Sequence, residues 1–188
     1  MQGIERQWRL EAHLRSFFEA EWEEFSWQHG PIASRYPLFR VGRGRVSQRS
    51  SWCYVTLGAW QATQSDGHAL EYLIVSPRPT AYHVETLAEL TLQSGDADPK
   101  PGLGDVIDAG RPWIDDGEAD HFFLTLPLPF GPEFENYVDA ELHIRILWLL
   151  PIMQAEADFL RRERIEAFED LAERSGLEFA DPRRRSLV

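Results

Sequence analysis

The chain has a single cysteine, Cys53, in 188 residues, so no disulfide can form within it. No apolar run approaches the roughly 20 residues that a bilayer-spanning helix needs. The opening MQGIERQWRLEAHL lacks the apolar centre of a secretory signal. Together these features predict a soluble, cytoplasmic protein held by its core. Basic residues are scarce over 85–141, where fourteen acids face only Lys100 and Arg111; that local balance of −12 equals the net charge of the whole chain. Such a stretch repels phosphate and excludes a nucleic-acid-binding face there. The six histidines are scattered, with no HExxH, no paired-cysteine metal spacing and no G-x-S-x-G turn. The sequence therefore predicts no metal, no cofactor and no catalysis. It contains neither an internal repeat nor a low-complexity tract.

Core material is plentiful: 43% of residues are apolar, including seven Trp and eleven Phe. The length fits one domain over 1–188, with a core at about 10–176 and a frayed tail at 177–188. Leu142–Leu150 reads as a central strand, half exposed at its start and buried on both faces at its end; Pro151 should stop it. The apolar set Ile152, Ala155 and Phe159 is half a turn out of phase with Ile165, Phe168 and Leu171, so two helices or a sharp bend are expected near Arg162–Arg164, ending at Gly176. Upstream, the spacing of Leu10, Leu14, Phe17, Phe18, Trp22 and Phe25 predicts one amphipathic helix over Ile4–Trp27. Tyr36–Val41 reads as a short edge strand, followed by a flexible basic loop, Gly42-Arg43-Gly44-Arg45. Pro31–Ser50 holds Arg35, Arg40, Arg43, Arg45 and Arg49 with no acid. Trp52–Trp60 and Leu70–Val75 alternate as strands and should pair across the Asp66-Gly67 turn, with Cys53 inert in mid-strand. Thr80–Ser94 reads as a helix stopped by Gly95, 96–104 as a surface loop and Phe122–Leu126 as a further strand.

In that order the chain resembles the suppressor of fused family, in its single-domain bacterial form. The likeness spans about residues 10–175. It is carried by Trp52-Cys53-Tyr54-Val55-Thr56-Leu57-Gly58, by Gly67–Pro77, and by Asp108-Ala109-Gly110-Arg111-Pro112-Trp113 with Phe130-Gly131-Pro132. The last segment is Leu147-Trp148-Leu149-Leu150-Pro151-Ile152 with Glu156, Phe159 and Ile165–Leu171. The resemblance implies an α/β (α+β) domain, a central mixed sheet with helices packed on it. It also implies a protein-interaction module without enzymatic activity. Animal members carry a second domain and clamp an extended peptide of a transcription factor; this chain has no room for that domain, so that role does not transfer. Its Gln61–Gly67 turn is shorter than the corresponding animal loop, and Arg164 stands near a position where many members have Gly. Bacterial relatives are associated with polymorphic toxin systems, where the domain acts as an immunity protein.

The expected partner is therefore a protein, a basic toxin domain, with no membrane and no nucleic acid involved; oligomeric state is left open. The expected binding surface comprises Trp113, Asp115, Asp116, Glu118, Asp120, Glu133, Phe134, Glu135 and Asp139. Its carboxylates would steer a basic surface, with Trp113 or Phe134 as a buried anchor. One alternative is a peptide-binding adaptor acting by strand addition at a sheet edge. Another is a hydrolase-like enzyme using Asp120 and His121, although neighbours in a strand point to opposite faces.

Overall fold

The computed structural model describes residues 2–46, 51–176 and 178–188. Arg49, counted above in the basic segment, lies outside them. The helices are α1 (Gln2–Arg15), α2 (Pro31–Arg35), α3 (Trp60–Thr63), α4 (Tyr82–Asp96), α5 (Pro132–Glu135), α6 (Gln154–Arg162) and α7 (Ile165–Ser175). The strands are β1 (Phe18–Ser26), β2 (Arg40–Val46), β3 (Trp52–Leu57), β4 (His68–Ser76), β5 (Val106–Asp108), β6 (His121–Thr125), β7 (Asn136–Val138) and β8 (His143–Ile152), with a 3-10 turn at Leu128–Phe130. They form one mixed sheet in the order β1-β2-β3-β4-β8-β6-β5. Among the described strands, only β4 and β8 run parallel. β7 pairs with the first residues of β8 and β6 with its last, so the two short strands share one flank of the long one.

Strand alternation sorts the core into layers. Tyr54, Tyr72, Ile74, Leu147 and Leu149 pack with Val84, Leu87 and Leu90 of α4 on one face. Cys53, Val55, Leu73, Ile144 and Ile146 pack with Leu10 and Leu14 of α1 on the other. Farther along the sheet, Phe123, Leu150 and Ile152 meet Ala157 of α6 and Phe168 of α7. Because both faces of β3, β4 and β8 are covered, these strands read as nearly unbroken apolar runs. The predicted α/β class, the central strand and the break between α6 and α7 agree with the structure. Arg164 is the extended residue that ends one helical phase before the next begins.

Several expectations are corrected. Ile4–Trp27 is a helix only to Arg15; from Phe18 it is strand β1. Its pairing with β2 slips between Phe18 and Trp22, and that irregularity breaks the two-residue period and imitates helical spacing. Gly42-Arg43-Gly44-Arg45 is not a loop but an interior strand between β1 and β3. A Cβ at Gly42 would collide with the Trp22 ring, and one at Gly44 would lie 3.0 Å from Phe18. The glycines are there for aromatic cover rather than for flexibility. Gly95 does not stop α4, which runs on to Asp96; a Cβ there would collide with the Tyr36 hydroxyl.

Pro151 does not end β8, because β4 pairs with it only as far as Trp148. The Pro151 carbonyl accepts from Arg184 Nη2 at 3.0 Å, and the ring nitrogen points to that same side, where no neighbouring strand needs an N–H. The tail is not frayed. Arg184 donates to both oxygens of Glu156 at 2.6 Å, with the two side chains 2% and 0% exposed. Glu156 also accepts from Met153 N and Leu187 N, so its charge is matched by four donors.

Candidate functional site

The acidic middle of the chain folds into two places. In the first, the segment joining β5 to β6 closes back on itself. Ala109 N donates to Asp120 O and Trp113 N to Ala119 O, each at 2.9 Å. This tucks Trp113, Ile114 and Ala119 into the core beside α4 and leaves Asp115, Asp116 and Glu118 exposed at the tip. Trp113 is 3% exposed and stacks on His83 at 5.4 Å. Arg78 hydrogen-bonds Asp116 at 2.5 Å and holds its carboxyl below the ordinary value; Arg183 lies 3.8 Å from its other oxygen. Asp115 and Glu118 have no ion-pair partner within 4 Å among the described residues.

In the second place, Pro132–Glu135 forms α5 and delivers the chain to β7. Phe134 is fully buried, stacked on Phe130 at 4.7 Å and edge-on to Phe17 at 5.3 Å. Glu135 pairs with Arg145 at 3.1 Å, and Glu133 is exposed. Burial alone would raise Asp139, but Arg6 at 2.6 Å and the N–H groups of Glu141 and Leu142 outweigh it and hold the carboxyl below its usual value.

Trp113 belongs to the core layer of α4 and Phe134 to that of α1, on opposite faces of the sheet. The nine expected residues therefore make two surfaces. Asp115, Asp116, Glu118 and Asp120 share one loop, while Glu133, Glu135 and Asp139 sit across the sheet. Neither aromatic can reach a partner in this conformation, since each is already packed inside. The acids of the second group are largely committed to arginines of their own chain.

Asp120 precedes β6, so strand alternation does not separate it from its neighbour, and His121 Nδ1 lies 2.8 Å from Asp120 Oδ1. His121 is 4% exposed. Among the described residues, no group of three or more His, Cys, Asp or Glu side chains could hold a metal ion, and no helix is long and apolar enough to cross a membrane. Cys53 is wholly buried in its strand.

Sequence reasoning passed over two buried titratable groups. Glu71 on β4 accepts from Gly58 N, Ala59 N and Trp60 N at 2.8–3.2 Å and so caps the first turn of α3. Burial pushes it up to about 7 against those donors and Thr56. His83 is fully buried with neither ring nitrogen hydrogen-bonded among the described residues, and burial pushes it down to about 3. An acid inside the apolar run Leu70–Val75 was the visible signal for Glu71. His83 gave none.

Residues 39–185 match the family described as Suppressor of fused protein (SUFU). A crystal structure of a SUFU homolog from Neisseria gonorrhoeae FA 1090 is 32% identical, covers 98% of each chain and superposes with a TM-score of 0.86. A chain in a Sufu–Fu complex shares the fold at 8% identity and a TM-score of 0.73, covering 96% of this chain and 91% of that one. Drosophila Suppressor of Fused matches at 8% identity and a TM-score of 0.59, with 88% of this chain spanning 42% of the Drosophila one. No curated protein gives a significant match. The chain belongs to the suppressor of fused family.

Proposed function

We propose that this chain is a non-enzymatic protein-binding domain that acts as an immunity protein, binding and neutralising a basic toxin domain through the β5–β6 loop. The observation that carries this reading is the construction of that loop. Its base is fixed by Trp113 and Ile114 in the core, and its tip presents Asp115 and Glu118 exposed and unpaired among the described residues. A charged surface on a rigid base steers an oppositely charged partner without a cost of ordering on contact. Family membership and the existence of a Sufu–Fu complex, in which a protein of this fold meets another protein, support it.

The test is the association rate of the purified chain with its basic partner as salt is varied. Asp115→Lys with Glu118→Lys should slow association by about tenfold at low salt and flatten the salt dependence. Unchanged association at low salt would remove this loop from the interface.

One observation favours a second reading, strand addition. β1 is nine residues long and, among the described residues, pairs only on its β2 side, so its other edge offers backbone groups to an extended peptide. Under that reading a proline in β1 abolishes binding and charge reversal at Asp115 does not.

A further inference from the structure

The face of β6 and β8 that meets α7 is only partly covered. Phe123 pairs with Leu150 and Thr125 with Trp148, so these four side chains share that face. Phe168 of α7 closes over Phe123, with ring centroids 5.7 Å apart, and belongs to the same buried cluster as Leu150. Beyond it a groove of about 750 Å³ is left, lined by Trp148 and Thr125 of the sheet, by Ala172 of α7, by Phe179 beside Phe168, and by Leu128. A second hollow of about 450 Å³ shares Leu128, Trp148 and Phe179 and extends the groove toward Val75. The combined volume suits a few side chains of a bound segment.

Three features say what fits there. Leu128 is 74% exposed at the groove's lip, an apolar side chain with no cover. Trp148 is half-buried and lines both hollows, so its ring is a ready apolar seat, while its Nε1 is covered and has no acceptor among the described residues. Along the rim stand the exposed carboxylates Glu169, Glu173 and Glu178. Glu169 and Glu173 are four residues apart on α7, a spacing at which like charges destabilise a helix unless a cation lies between them. Their neighbours Glu166 and Asp170 face Arg164, just before the helix, and Arg174 within it, whereas no ion pair within 4 Å engages Glu169, Glu173 or Glu178 among the described residues.

We propose that this groove docks a basic peptide segment of a partner protein. One bulky apolar side chain of the segment lies over Trp148, and flanking arginines or lysines meet Glu169, Glu173 and Glu178. A second copy of this chain is a poor occupant, because its own net charge of −12 opposes the rim. The site is separate from the β5–β6 loop, so it stands or falls independently of the reading given above.

The test uses the full chain and an array of short fluorescein-labelled peptides, each with one Trp, Phe or Leu flanked by arginines. The controls carry serine at the apolar position or glutamates at the flanks. Binding is read by anisotropy and by the Trp148 indole N–H signal in ¹H–¹⁵N spectra. Basic apolar peptides should bind and shift that signal, and both controls should fail. Glu169→Lys with Glu173→Lys, and separately Trp148→Phe, should each weaken binding by about tenfold or more, equivalent to roughly 1.4 kcal/mol, while Asp115→Lys should leave it unchanged. No binding across the array, equal binding of the glutamate-flanked control, or an unmoved indole signal would overturn the proposal. Self-association lost on the same rim reversal would also overturn it, by placing a second copy in the groove.

Discussion

Removing either of two buried titratable groups should tilt the pH dependence of stability in opposite directions. Glu71 titrates near 7 in the fold against an ordinary 4.5, and His83 near 3 against 6.5. Between about pH 4.5 and 6.5 the unfolded chain carries Glu71 ionised and His83 protonated; the native chain carries the reverse. For His83 the unfolded state binds the extra proton, so its contribution is fully present above 6.5 and is lost as pH falls. For Glu71 the native state binds the extra proton, so its contribution is present below 4.5 and is lost as pH rises toward 7. Each slope is about 1.4 kcal/mol per pH unit, and across this window the two nearly cancel. His13, which burial also lowers, adds a term of the same sign as His83 in every variant and drops out of the comparison.

Urea unfolding followed by circular dichroism at steps from about pH 5 to 6.5 reads these slopes directly. Relative to wild type, Glu71→Gln should gain stability with rising pH by about 1.4 kcal/mol per unit, and His83→Phe should lose it at the same rate. The double variant should run parallel to wild type. His83→Phe sacrifices no hydrogen bond, since neither ring nitrogen has one among the described residues, and it keeps an aromatic ring against Trp113. A Glu71→Gln slope equal to wild type would mean that the three N–H donors hold Glu71 ionised, and the reasoning would be refuted.

Other consequences are more local. Arg184→Ala leaves the Glu156 carboxylate buried without its cation and should cost roughly 3–5 kcal/mol in urea unfolding, with the tail becoming protease-sensitive. Gly42→Ala forces Trp22 off the strand and should cost roughly 1–3 kcal/mol, measured as a lowered midpoint at unchanged slope. If Gly42→Ala were neutral, the ring over β2 would not be as packed as described. Arg78→Ala should leave the fold nearly intact, since Arg78 and Asp116 are both exposed, while returning Asp116 toward its usual titration in NMR spectra.

What the sequence made legible follows from how local the physics is. The β8 run, the β3–β4 pairing and the change of helical phase at Arg164 are written in spacings of a few residues, and all are present in the structure. β1 reads as helix because its pairing slips, which no residue within it announces. β2 was misread because its glycines answer to Trp22 and Phe18, some twenty positions away. The ordered tail depends on Glu156 finding Arg184, a partner outside its own helix. The acidic stretch was visible as composition, but its division between two faces depends on whether Trp113 and Phe134 join the α4 or the α1 layer. Chain order alone did not show that.

Under the proposed function the chain recognises another polypeptide by charge and changes nothing chemically. Capture from the native host on the immobilised full chain, followed by mass spectrometry of what is retained at low salt and released at high salt, addresses it most directly. A basic polypeptide should be retained by wild type and largely lost by the Asp115→Lys, Glu118→Lys chain. Retention of the same polypeptide by both chains, or turnover of a small substrate that His121→Ala abolishes, would contradict it.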